Sequence, residues 1–268
     1  MDHLDTSVAH PARRYNYWLG GKDHFAADRE SGDLLAAKFP TARLAALENR
    51  AFLRRTVRHL AQAGIRQFLD IGTGLPVPDN THEIAQRIAP GSRVLYADND
   101  PIVMTHARAL TVGAAEGRTG YVEADLRDPG AILAHPELRT VLELDRPVAL
   151  LLVAVLHFLH DDDQAAAVVE HLLGALPAGS YLVASNLTMD YAPPRQIALH
   201  EELLASGRTD ARARSAKQFG RFFAGLDLVE PGIVAVSDWR PDDPAEERPS
   251  PADVAINGAV GRKPHRSA

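Results

Sequence analysis

The sequence predicts an α/β fold built on a mostly parallel sheet with helices on both faces. Three observations carry this expectation. Short apolar runs suited to buried strands alternate with helical stretches from Gln67 to Asn186. The first run, Gln67 to Ile71, breaks into the glycine turn Gly72-Thr73-Gly74. Acids recur where the first three runs end, at Asp70, Asp98 and Asp125, and in an open parallel sheet that carboxyl edge is where ligands bind.

Ahead of the first strand, His10 to Asp23 combines Tyr15, Tyr17 and Trp18 with Arg13, Arg14, Lys22 and a Gly20-Gly21 turn. It reads either as a surface wrap or as part of a pocket. From Phe39 to Ala63 the pattern is helical, with Leu44, Leu47, Ala51, Leu53, Val57 and Leu60 on one side and Arg54, Arg55 and Arg58 toward water. Gly64 is a natural stop. After the first strand, Asn80 and Glu83 have capping-box spacing and start a helix carrying Ile84 and Ile88, which Pro90-Gly91 ends. Arg93 to Ala97 is the second strand; Asp100-Pro101 then supplies a cap and a first-turn proline for a helix to about Val112.

Gly120 to Glu123 reads as the third strand, followed by a helix near Asp128 to Leu133. Val148 to Val155 is almost uninterruptedly apolar, which suits a central strand covered on both faces. Asp161 to Leu176 is a helix and Ser180 to Asn186 the fifth strand. Between Thr188 and Ala216 regularity loosens around Met189-Asp190-Tyr191-Ala192-Pro193-Pro194 and a polar stretch with Arg208, Arg212 and Arg214, a lid or a surface helical excursion. Regular elements return at Gln218 to Phe223, a strand at Leu226 to Glu230 and a final run from Asp253 to Gly261, with the Pro- and acid-rich Pro241 to Pro251 as a solvated connection.

Composition narrows the function. At 268 residues with 46% apolar content, one core with an appendage is expected. A net charge of −6 offers no basic field for a nucleic-acid backbone. Without cysteine there is no disulfide framework, thiolate nucleophile or Cys-ligated metal. The first twenty residues lack a basic start and a continuous apolar stretch, and Val148 to Leu156 is about half the length needed to span a bilayer, so a cytoplasmic chain without membrane association is expected.

The glycine turn lacks G-x-G-x-x-G spacing, since Val77 stands three after Gly74 and the loop carries Pro76 and Pro78, so it serves a dinucleotide pyrophosphate poorly. Gly72 and Gly74 would instead admit a ribose or an amino-acid moiety, unless they form only a tight turn. Asp70 suits an ammonium group. Asp98 has acceptors for two ribose hydroxyls. Asp125 suits an exocyclic amine and Leu126 N–H a ring nitrogen of adenine, the alternative for Asp125 being a solvated loop acid.

With these segments in place the sequence resembles the class I methyltransferases, and more closely an actinobacterial family of S-adenosyl-methionine-dependent methyltransferases with no settled substrate. The resemblance spans about Arg13 to Pro264. It rests on Tyr15-Asn16-Tyr17-Trp18-Leu19-Gly20-Gly21-Lys22-Asp23, Phe25-Ala26-Ala27-Asp28-Arg29, Phe68-Leu69-Asp70-Ile71-Gly72-Thr73-Gly74-Leu75-Pro76, Asn80-Thr81-His82-Glu83, Tyr96-Ala97-Asp98-Asn99-Asp100-Pro101, Ala124-Asp125-Leu126-Arg127 and Val155-Leu156-His157-Phe158. It implies a Rossmann-like, seven-stranded, mostly parallel sheet whose last strand, near Val254 to Val260, is antiparallel, occupying residues 41–268 with a lid or substrate excursion at 188–216. It implies S-adenosyl-methionine as cofactor, with Gly72 and Gly74 at its methionine portion, Asp98 at the ribose, Asp125 and Leu126 at adenine, Ala154 flanking it, and Thr73 and Asn99 as further contacts. It also implies that residues 1–40 close over the cofactor through Tyr15, Asn16, Lys22 and Asp23. No Asn/Asp-Pro-Pro-Tyr motif ends the fourth strand, which argues against adenine and glutamine as acceptors.

Methyl transfer is an in-line displacement that chiefly needs alignment and exclusion of water. An alcohol or phenol acceptor also needs a base, and His157 beyond the central strand is the candidate; its alternative is to pack at a helix start. Tyr17, Asn16, Tyr191 and Arg195 are further candidates for acceptor contact. The expected function is methylation of an unidentified small molecule. The competing readings are a nicotinamide-dependent oxidoreductase, which the turn spacing disfavours, and a non-catalytic cofactor-binding regulator.

Overall fold

The computed structural model describes residues 5–110, 115–243 and 247–265. Three helices come first: α1 (Pro11–Trp18), α2 (Ala26–Lys38) and α3 (Ala42–Gln62). Alternation then begins with β1 (Gln67–Ile71), α4 (Thr81–Ile88), β2 (Arg93–Asp98), α5 (Pro101–Leu110) and β3 (Arg118–Glu123). It continues through α6 (Pro129–Ala134), α7 (Pro136–Val141), β4 (Ala149–Val153), α8 (Asp162–Gly174), β5 (Tyr181–Leu187) and α9 (Pro194–Ala205). The chain closes with α10 (Ala216–Gly220), β6 (Asp227–Leu228), β7 (Val234–Ala235), α11 (Pro251–Val254) and β8 (Ile256–Arg262).

The sheet runs β3-β2-β1-β4-β5-β8-β6, with β7 also on β8. β1 to β5 pair in parallel, whereas β8 runs antiparallel to β5, β6 and β7. This is the class I methyltransferase sheet with its reversed final strand. Among the described residues it has one strand more than the seven expected: Val234 and Ala235 pair with Gly258 and Asn257, a two-residue ladder too short for any periodic signal. β6 is likewise reduced to Asp227 and Leu228, both exposed at the sheet edge.

Alternating side chains put two cores on the two faces. Leu69, Ile71, Leu150 and Leu152 pack with Ile132, Leu138, Leu172 and the Phe219-Phe222-Phe223 group. Phe68, Ala149 and Leu151 pack with Phe52, Val57 and Leu60 of α3, Ile84 of α4 and Trp239. The apolar run around β4 is thus buried because both faces are covered.

Helix starts follow their capping chemistry. Asn80 and Glu83 form the capping box of α4, with Asn80 N–H donating to Glu83 at 2.8 Å. The Asp100 carboxylate accepts from Ile102 N–H at 2.9 Å ahead of Pro101; the expected end of α5 near Val112 lies outside the described residues. On α3 the expected faces need two corrections. Leu47 is 45% exposed, and Arg55, expected in water, is 8% exposed. Its guanidinium donates to the carbonyls of Trp239 at 2.9 Å and Val236 at 2.6 Å, partners 184 and 181 residues away that periodicity within one helix does not report.

The 188–216 stretch holds α9 and then returns under the sheet edge, where fully buried Arg214 bonds the carbonyls of Leu156 (2.9 Å) and Leu159 (2.5 Å) and the Asp162 carboxylate (2.9 Å). No helix among the described residues is long and apolar enough to cross a membrane.

Candidate active site

A cavity of about 900 Å³ follows the carboxyl edge of the sheet, near the upper end of the roughly 300–1,000 Å³ usual for small-molecule sites. Its floor begins where β1 meets the glycine turn. Gly72 has φ of 74° and Gly74 of 66°, a region costly for residues with a Cβ. A Cβ on Gly72 would lie 2.6 Å from Val155, while one on Gly74 meets nothing within 4 Å. The first glycine is thus required by packing, the second by the backbone turn and by the open space it leaves for a ligand.

Each acid has a distinct environment. Asp70 is buried and accepts from the Thr81 hydroxyl at 2.6 Å; burial raises its pKa to about 6, against the opposing pull of Thr81 and of the Arg50 guanidinium. Asp98 accepts from Gly74 N–H at 2.9 Å with one oxygen and Asp100 N–H at 3.0 Å with the other. It locks the turn while each oxygen keeps a lone pair. Asp125 is gripped by Arg127 through the side chain at 2.9 and 2.5 Å and the backbone at 2.8 Å, and by Asn99 at 3.1 Å. Arg127 holds its carboxyl down at about 2.

Just past β4 comes Ala154, whose φ of 56° is unusual for a residue with a Cβ and costs roughly 1–2 kcal/mol. A buried chain holds it there. Ala154 N–H donates to Ser185 Oγ at 2.9 Å, Ser185 donates to Asn49 Oδ1 at 2.6 Å, Asn49 Nδ2 donates to the Tyr15 hydroxyl at 3.0 Å, and Tyr15 donates to Ala46 O at 2.9 Å. Beyond Ala154 a 3₁₀ turn, Leu156–Phe158, presents His157. The residue is partly accessible, but its Nδ1 is sealed without a partner among the described residues, and burial lowers its pKa to about 4. A buried polar atom left unpaired is uncommon in a folded protein and asks for a functional reason.

The cavity brings together Tyr15, Asp70, Gly72, Thr73, Gly74, Asp98, Asn99, Asp125, Leu126, Ala154 and His157, with Tyr191. It does not include Asn16, Tyr17, Lys22, Asp23 or Arg195. Asn16 is buried beneath its own Gly20-Gly21 turn, accepting from Asp23 N–H at 3.1 Å, and a Cβ on Gly21 would lie 2.3 Å from its amide. Tyr17 donates to Asp33 at 2.8 Å; Lys22 and Arg195 are exposed.

Several lining residues were not foreseen. Arg50 on α3 donates to Asp79 O at 2.8 Å and Asn80 Oδ1 at 3.2 Å, yet its buried Nε has no partner among the described residues. Arg14 of α1 donates from Nη2 to both carboxylate oxygens of Asp210, at 2.7 and 2.9 Å, across 196 residues of sequence. Asn49 alone carried a readable signal, a polar residue on the apolar stripe of α3 between Ala46 and Leu53.

Residues 1–264 match the model of the S-adenosyl methyltransferase family. The chain belongs to that family. It is 48% identical to a DUF574 family protein from Streptomyces avermitilis, with a TM-score of 0.89 over 98% of this chain and 100% of that one. It is 41% identical to a candidate methyltransferase from Thermobifida fusca, with a TM-score of 0.88 over 98% of each. An O-methyltransferase family protein from Burkholderia thailandensis, 17% identical with a TM-score of 0.53 over 90% of this chain and 63% of that one, shares the fold alone. No curated protein matches the chain. This actinobacterial family assignment makes S-adenosyl-methionine the cofactor and sets aside the nicotinamide reading.

Proposed function

We propose that the chain methylates a small-molecule acceptor within this one cavity. Asp70 pairs with the cofactor's ammonium group, Arg50 with its carboxylate, and the Gly72-Thr73-Gly74 turn lies along its methionine portion. Asp98, beside Asn99, takes the ribose hydroxyls, and Asp125 and Leu126 frame adenine. Five carboxylates and three guanidiniums line the cavity, a balance that favours a cofactor carrying a sulfonium. S-adenosyl-methionine supplies an electrophilic methyl group and leaves as S-adenosyl-homocysteine.

His157 receives the proton that a hydroxyl acceptor gives up. Burial keeps it neutral at neutral pH, and because its Nδ1 is sealed the proton enters at Nε2; a base whose pKa is pushed this far below the working pH contributes less than the about 10²–10⁴-fold of one matched to it. The strained Ala154 backbone sets the height of the β4 end against which the reacting groups are aligned, and Tyr15 ties the amino-terminal helices over it.

The observation that carries this reading is the row Asp70, Asp98 and Asp125 at successive strand ends around a turn that Asp98 itself holds. Asp98→Ala is expected to weaken S-adenosyl-homocysteine binding about a hundredfold, the loss of two charge-assisted hydrogen bonds. Isothermal calorimetry on the folded variant decides it, and an unchanged affinity removes Asp98 from the site.

A further inference from the structure

We propose that the methyl acceptor is a neutral molecule with a flat apolar ring and a hydroxyl group, bound between the segment that follows β5 and the amino-terminal helices. This rests on the cofactor reading above, because Asp70, Asp98 and Asp125 assign the part of the cavity over β1, β2 and β3 to the cofactor. What remains extends past β4 and β5. Met189, Tyr191 and Pro193 of the segment after β5 line it, as do Trp18, Leu35 and Phe39 of the amino-terminal helical region. Flat rings and a pliable thioether suit a ring-bearing molecule.

Charge decides the class. Arg14 and Asp210 both line the cavity, but each is committed to the other through two short bonds, and the Arg14 guanidinium lies over the Trp18 ring at 5.7 Å. The two charges thus meet each other; Arg14 Nη1 donates to Ser31 Oγ at 3.2 Å, and its Nε, without a partner among the described residues, is buried away from the cavity space. His200 accepts from Ala213 N–H at 3.2 Å through Nε2, so its proton sits on Nδ1; burial disfavours the charged form of both His200 and His157. Asp253 is exposed and holds the Ser250 hydroxyl at 2.6 Å. Among the described residues an anionic or cationic acceptor would therefore surrender its hydration without gaining a buried counter-charge, a loss of several kcal/mol; the Asp253 carboxylate is exposed, and water screens its attraction for a cation. A neutral hydroxyl gives up little and finds a neutral imidazole ready to accept from it.

The test uses the full chain saturated with S-adenosyl-homocysteine and three naphthyl probes of one shape and different charge: 1-naphthol, 1-naphthoate and 1-naphthylmethylammonium. Calorimetry at neutral pH is expected to show naphthol binding at least about tenfold tighter than either ion. Asp210→Asn, at a carboxylate 39% exposed, frees Arg14 and should raise naphthoate affinity about tenfold, whereas Arg14→Met bares Asp210 and should raise that of the ammonium probe similarly. Retained S-adenosyl-homocysteine binding in each variant reports an intact cavity, and either variant alone suffices. An ion bound by the wild type as tightly as naphthol overturns the proposal. So does binding of none of the three, or charge preferences that do not move in a folded variant. Failure of the wild type to bind S-adenosyl-homocysteine overturns the cofactor reading instead.

Discussion

Asp70 couples the site to pH. Its folded pKa of about 6 stands above the ordinary 3.8 because burial penalises the carboxylate. The native state therefore holds this proton more tightly than the unfolded chain, so the Asp70 contribution to stability falls as pH rises from about 4 to 6 and stays unfavourable above. Pairing with an ammonium group requires the ionised form, so cofactor affinity changes in the opposite sense. S-adenosyl-homocysteine binding is expected to strengthen about tenfold per pH unit up to pH ~6 and then level off. Asp70→Asn should bind weakly and without that slope, yet unfold at a higher temperature than the wild type at neutral pH. Calorimetric titrations across this window check both; a wild-type affinity independent of pH would remove Asp70 from contact with the ammonium group.

At the scale of elements, the arrangement depends on α3 and β5 meeting through Asn49 and Ser185. Asn49→Ala strands the Ser185 hydroxyl, which is fully buried, and frees the Tyr15 hydroxyl from one of its two partners. Tyr15 still donates to Ala46 O, so the Ser185 O–H is the group left unsatisfied, and urea unfolding should show a loss of about 1–3 kcal/mol. Because Ser185 also holds Ala154, cofactor affinity should drop with it; a variant that loses stability but keeps affinity would reduce Asn49 to a packing role. The legibility of the sequence follows the range of the interactions. β1 was readable to the residue, and α4 and α5 began where Asn80 and Asp100 placed them, because strand alternation and capping are local. β7, the burial of Arg55 and the Arg14–Asp210 pair were not, because each depends on a partner that only the finished sheet brings near. The strand-end acids were legible since topology places every such end on one edge; that Arg50 would lean toward Asp70, or that Asn16 would turn away under Gly21, depends on side-chain packing with no sequence pattern of its own.

For the whole molecule, the telling contrast is between an apolar sheet and polar attachments over its edge. β1, β4 and β5 are almost wholly buried, whereas α1 and α2 are held largely by charged and hydrogen-bonding groups. Asp28 accepts from His10 N–H at 2.9 Å and Phe25 N–H at 2.8 Å, Arg13 lies 3.4 Å from Asp100, and Arg14 reaches Asp210 beyond α9. Segments fastened in this way open with less free energy than the core they cover. A cofactor beneath them would add contacts that exist only in the closed arrangement, and ligand binding stabilises whatever state it prefers. Hydrogen exchange is therefore expected to be faster in α1, α2 and residues 206–215 than in β1, β4 and β5 without ligand. Saturation with S-adenosyl-homocysteine should slow exchange in both attachments together, by about tenfold or more. Arg14→Met should speed exchange in α1 and in residues 206–215 alike, because it cuts the Arg14–Asp210 pair that joins them. Exchange in α1 as slow as in β4 without ligand, and unmoved by S-adenosyl-homocysteine, would mean that these helices are a fixed wall of the cavity and that the cofactor enters by another route.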